Sequence, residues 1–205
     1  MSFLEVLPLA FVMVAGPQIL SPIFLATSEN WRRNSAAYVL GAALSISLVV
    51  TVVYFVGDGL LGQRTPNDTL YVIVLVLLLA AMIHVYRTRE ESEPPEWMGT
   101  LTTANPRFSF RLGFLLLGFF PTDILTSASV ASYLAARKAP LTDALPFIGV
   151  TLLILALPAL ILLAFGDRGE AFLPKVRDWM NANSWIINEI VILLFIGLTI
   201  NNLTG

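Results

Sequence analysis

Apolar residues in this chain do not alternate, and they do not fall into short amphipathic stripes. They come in long, predominantly apolar runs at 3–27, 36–56, 69–87, 109–135, 141–165 and 184–202. A helix rises about 1.5 Å per residue, so roughly 20 apolar residues cross a hydrocarbon core of about 30 Å. The pattern therefore predicts an all-α integral membrane protein of six transmembrane helices. No connection between the runs exceeds roughly 20 residues, which leaves no room for a soluble catalytic or binding domain.

Two runs carry polar residues and proline where the membrane is driest. The first contains "GPQILSP" at 16–22 and the fourth "FFPTDILT" at 119–126. Proline inside a helix removes one hydrogen bond and collides with the carbonyl four residues earlier, so both helices are expected to kink or unwind. Backbone groups freed in this way are costly in hydrocarbon unless they face protein or a wet cavity. The candidate substrate or ion pathway is accordingly Gly16, Pro17, Gln18 and Ser21 in the first run, with Pro121, Thr122, Asp123 and Thr126 in the fourth.

Asp123 is the leading functional candidate, because a carboxyl near mid-span costs several kcal/mol and persists only with a partner, a proton or a task. It suits a group that gains and loses a proton during transport, and it equally suits a side chain that locks the bend at Pro121. Gln18 holds a comparable place in the first run and both donates and accepts hydrogen bonds. If the two faced each other they would form one compact polar centre. Asn188, Glu189 and His84 lie nearer helix ends, where an aqueous or interfacial setting accounts for them.

The chain also doubles itself in outline. In each half a proline-interrupted helix is followed by a turn with two adjacent basic residues, Arg32-Arg33 and Arg137-Lys138. A second helix then ends in Gly-Asp, at 57–58 and 166–167. Each half holds three spans, so the halves would lie in opposite orientations, the inverted-repeat plan of many secondary transporters. The organisation expected is a first repeat at 1–87, a cytoplasmic linker at 88–108 and a second repeat at 109–205. Between the last two spans, Phe172, Leu173, Val176 and Trp179 are spaced as on a surface-lying amphipathic helix.

Composition agrees with the pattern and then narrows it. Of 205 residues, 57% are hydrophobic and 13% charged, and the mean hydropathy is +0.79. A formal charge of −2 offers no basic face for nucleic acid. No cysteine and a single histidine exclude a thiolate or multi-histidine metal centre, and no cofactor or metal is expected. Phosphate-binding loops, zinc-protease motifs and nucleophile elbows are absent, so neither an ATP-driven pump nor an enzyme is expected. Loops after odd spans carry nine Lys or Arg residues against three after even spans, which places both termini outside the cell membrane. The first run lacks a basic start and a small-residue cleavage site and reads as a retained helix.

The stretch "PQILSPIFLATSENWRRNSAAYVLGAALS" from Pro17 combines a kinking proline, paired arginines, and an aromatic and a glycine in the next helix. With "LPKVRDWM" from Leu173 and "PEW" from Pro95, the chain resembles the GAP family of peptidoglycolipid- or sulfolipid-addressing proteins, within the lysine-exporter superfamily. The resemblance implies a six-helix inverted-repeat transporter, or transport accessory, that helps move cell-envelope glycolipids or related amphiphiles outward. It carries over Gly16, Pro17 and Pro121. The superfamily's fourth helix commonly has Asn before the proline and Lys after it; Phe120 and Thr122 stand there instead.

The function expected is export of such an amphiphile by alternating access around the two interrupted helices, with Asp123 as the proton-coupling candidate. Partners would be membrane lipids, the lipid or small-molecule substrate, and a second copy or a larger transport complex. One alternative is the same fold exporting an amino acid or a metal cation. Another is a scaffold that positions a lipid-export pump.

Overall fold

A computed structural model describes residues 3–14, 17–60 and 103–183, together with 100–101 and scattered helical positions within 75–87 and 185–200. Among the described residues the chain is helical and no strand occurs. It divides into two compact units, one of Met1–Gly62 with Pro95–Asp178, the other of Gln63–Pro94 with Trp179–Gly205.

The first unit starts with α1 (Phe3–Val14) and α2 (Pro17–Ala26), which together occupy the first expected span. α1 is helical up to Val14 and α2 from Pro17 onward, with residues 15–16 outside the described residues, and Pro22 is accommodated inside α2. Next comes α3 (Trp31–Leu60), whose Trp31–Val56 section is long and apolar enough to cross a membrane. α4 (Pro106–Phe119) and α5 (Pro121–Ala136) share the fourth expected span and are bent by 65° at the break between them. Phe120 sits in that break with extended backbone, φ −71° and ψ 128°, as the clash with a following proline ring dictates.

A 3-10 turn, Leu141–Ala144, leads into α6 (Leu145–Phe165), and Leu141–Phe165 is the second stretch long and apolar enough to span. The chain then reverses at Gly166, whose φ of 51° favours glycine, into α7 (Asp167–Ala182), the amphipathic helix expected from its spacing. There are thus two candidate spans, or three if the bent α4–α5 pair counts as one. The third and sixth expected spans, 69–87 and 184–202, fall largely outside the described residues, and their described positions are helical. In that second unit Tyr86 meets Trp185 edge-on at 6.1 Å.

α3 and α4 pack backbone against backbone. A Cβ on Gly41 would overlap the Phe110 carbonyl, and one on Gly113 would overlap the Tyr38 carbonyl. Ser45 Oγ donates to the Phe114 carbonyl at 2.8 Å, beside Gly118. Small residues that admit a neighbouring backbone, with a hydroxyl bridging the pair, are the usual means of helix packing where both surroundings are equally apolar. Gly41 and Ala42, small residues suited to packing within or between subunits, are here used within the chain.

The connections sort to the two ends of α3. Near Trp31, Asn34 Nδ2 donates to Ser28 Oγ at 2.9 Å and to the Ala104 carbonyl at 2.8 Å. Ala26 of α2, Leu162 of α6 and Leu173 of α7 pack together at that end, with Trp31 against them. At the other end Tyr54 donates its hydroxyl to the Ala139 carbonyl at 2.8 Å. The two Gly-Asp pairs differ structurally: Gly57-Asp58 lies inside α3, which continues to Leu60, whereas Gly166 ends α6.

Candidate functional site

Gln18 is the second residue of α2, and Asp123 is the third of α5, in the first turn after the break at Phe120. Gln18 Nε2 donates to Asp123 Oδ2 at 2.8 Å. Both side chains have 0% exposure. Thr122 Oγ1 donates to the other carboxyl oxygen at 3.3 Å. The amides of Asp123 and Ile124 are satisfied by the Phe120 carbonyl at 3.0 Å each. An acidic side chain also suits the amide-rich start of a helix.

From this contact the half-helices diverge. α2 leads to the Trp31 end of α3 and α5 to its Tyr54 end. α3 closes the site with Tyr38, which is fully buried, donates its hydroxyl to the Gln18 main-chain carbonyl at 3.1 Å and lies within hydrogen-bonding reach of Ser21. Gly113, pressed against the Tyr38 carbonyl, fixes that part of α3 on α4. On the α5 side Thr126 Oγ1 donates to the Thr122 carbonyl at 2.7 Å, and Ser127 Oγ to Met13 Sδ of α1 at 3.8 Å.

One acceptor in the cluster is unmatched: Gln18 Oε1 is buried with no hydrogen-bond partner among the described residues. A buried orphan acceptor costs roughly 1–3 kcal/mol, and it sits on the amide that holds the carboxyl. Rotating that amide by half a turn would present Oε1, instead of Nε2, to Asp123. The pair can thus serve a carboxylate, by donating to it, and a carboxylic acid, by accepting from it.

Of the eight residues expected at the pathway, Gln18, Ser21, Asp123 and Thr126 are buried around one point, while Pro121 and Thr122 are exposed beside it. Pro17 opens α2. Gly16 lies outside the described residues. Tyr38 escaped the sequence reasoning as a site residue, although it stands three positions before Gly41, on the same helix face as the tight crossing.

A second hollow, of about 420 Å3, lies at the Trp31 end and is lined by Thr27, Glu29, Trp31, Glu170 and Leu173. Thr27 and Ser28 spend their hydroxyls on the Phe24 and Leu25 carbonyls at 2.8 and 2.6 Å. Eight residues of helix, about 12 Å of rise, separate it from Gln18. Among the described residues no group of three or more metal-ligating side chains occurs.

The family model described as "Sap, sulfolipid-1-addressing protein" matches residues 6–202. No curated protein and no solved structure matches the chain.

Proposed function

The chain belongs to the sulfolipid-1-addressing protein family, and from that premise we propose that it exports a cell-envelope glycolipid or related amphiphile by alternating access around Gln18 and Asp123. The observation that carries this is the 2.8 Å bond from an amide on α2 to a carboxyl just past the break at Phe120, both side chains fully buried. Transporters of the inverted-repeat kind place their working groups where discontinuous helices meet at mid-membrane. In this reading α1–α2 and α4–α5 are the equivalent broken helices of two oppositely oriented halves.

Asp123 is the proton carrier. When it is ionised, Gln18 Nε2 and Thr122 hold it; when it is protonated, the rotated amide accepts its O–H. Each state then presents a matched pair, so the bond between α2 and α5 survives the change while its polarity reverses. An amphiphile needs apolar room as well as a polar centre. The cleft of about 230 Å3 between α3 and the start of α6, lined by Val50, Leu145 and Ile148 with Ser47 and Thr51, supports that substrate class.

A second reading has one observation in its favour. Both Asp123 oxygens already accept hydrogen bonds, which also suits a fixed lock on the bend in a scaffold for a lipid-export pump. Flip of a fluorescent sulfated glycolipid in proteoliposomes of the purified chain, read by dithionite quenching, separates the two. Export predicts faster loss of protected fluorescence than in empty vesicles. Folded protein that leaves the rate at the empty-vesicle value would contradict export and favour the scaffold.

A further inference from the structure

Arg107, Arg111, Leu115 and Phe119 stand four residues apart along α4, and all four are exposed. Side chains at that spacing follow one another along a single ridge of a helix. Its first half is cationic and its second half apolar, with Leu115 53% and Phe119 65% exposed. At the cationic end Pro106, Arg107, Phe110 and Arg111 border a shallow, open depression on the helix surface. Among the described residues no carboxylate pairs with either guanidinium.

The dimensions match one leaflet of a bilayer. From Arg107 to Phe119 is twelve residues, about 18 Å of helical rise, against about 15 Å for half of a hydrocarbon core. The ridge ends at Phe120, the break that carries the buried polar centre. Guanidinium groups bind phosphate oxygens through paired, charge-assisted hydrogen bonds. A free phosphate would use the arginines and ignore the apolar half, whereas a phospholipid uses both in the order in which they occur.

We propose that the Arg107–Phe119 ridge binds one anionic phospholipid of the surrounding bilayer, its phosphate between Arg107 and Arg111 and an acyl chain along Leu115 and Phe119. This site is separate from the Gln18–Asp123 centre, and the proposal holds whether or not the chain transports anything.

The test uses the full chain in nanodiscs of equimolar phosphatidylglycerol and phosphatidylcholine, with retained lipids counted by native mass spectrometry after release. The wild type should retain phosphatidylglycerol in preference by about tenfold, because both lipids offer a phosphate but the quaternary ammonium of phosphatidylcholine cancels the charge that draws a lipid to the arginine pair. Arg107→Gln/Arg111→Gln should bring the preference close to unity, and Arg107→Lys/Arg111→Lys should keep part of it. Leu115→Ser/Phe119→Ser should weaken retention with both charges in place, while Arg32→Gln/Arg33→Gln should leave the preference unchanged. An unaltered preference in the double glutamine variant, or none in the wild type, overturns the proposal. Displacement of the lipid by inorganic phosphate would show a free-anion site and overturn it too.

Discussion

Gln18 and Asp123 lie 105 positions apart and share a 2.8 Å hydrogen bond with no exposure to solvent. The bond ties the start of α2 to the start of α5, and through Tyr38 it also reaches α3. Removing the amide leaves a buried carboxyl short of a donor. Gln18→Leu should therefore lower stability by about 1–3 kcal/mol, read as the thermal unfolding midpoint in detergent. In a double-mutant cycle with Asp123→Leu the two changes should be non-additive by at least ~0.5 kcal/mol; strict additivity would mean that the bond contributes nothing.

The α3–α4 crossing should tolerate no side chain at its two closest points. At Gly41 and Gly113 a Cβ meets backbone carbonyls, which cannot rotate away as a side chain could. Gly41→Ala and Gly113→Ala should each cost about 1–3 kcal/mol by overpacking. Gly149→Ala, where a Cβ meets nothing within 4 Å, should be neutral or slightly stabilising. Unfolding midpoints of the three variants check the contrast.

Asn34 joins the α2–α3 turn to the segment before α4 through Ser28 Oγ and the Ala104 carbonyl. Asn34→Leu strips two acceptors of their donor and should destabilise by about 1–3 kcal/mol. Hydrogen exchange should rise locally in 27–34 and 101–105 rather than across α6. Unchanged exchange in both segments would count against the link.

The absence of cysteine from the sequence makes single-cysteine labelling clean. Glu29→Cys, Thr103→Cys and Glu170→Cys sit on connections gathered at the Trp31 end of α3, and Lys138→Cys near the Tyr54 end. In intact cells an impermeant thiol reagent should label the Lys138 position and spare the other three, given the excess of basic residues on the latter loops. Mixed labelling among those three would contradict the arrangement.

The helical runs were legible in the sequence because a membrane-crossing helix must be apolar over its length, and the break at Phe120 was legible because Pro121 pushes the residue before it out of the helical region, although Pro22 and Pro158 are carried inside their helices. Asp123 and Gln18 stood out for the same reason, as polar side chains in otherwise dry stretches. Their pairing was conceivable from sequence but not fixed by it, since it depends on how α2 and α5 face each other. Tyr38 was less visible: an aromatic in an apolar helix is ordinary, and its role comes from the register between α3 and α4, chain segments about 70 residues apart. The two Gly-Asp pairs show the opposite hazard. Identical dipeptides end one helix and lie within another, because the residues beyond each pair decide whether the helix continues. The ridge from Arg107 to Phe119 was hidden because arginines mark loops and apolar residues mark spans, and only the folded helix joins the two on one face.

If Asp123 carries the proton that drives export, coupled flux must depend on its ability to ionise. The deciding experiment is flux of a fluorescent sulfated glycolipid in proteoliposomes with and without an imposed proton gradient, for wild type and Asp123→Asn. The gradient should accelerate wild-type flux. Asp123→Asn keeps the size and hydrogen-bonding capacity of the side chain but holds no exchangeable charge, and its flux should show no response to the gradient. A gradient response of equal size in the variant would contradict proton carriage by Asp123 and leave it as the lock on the bend at Pro121.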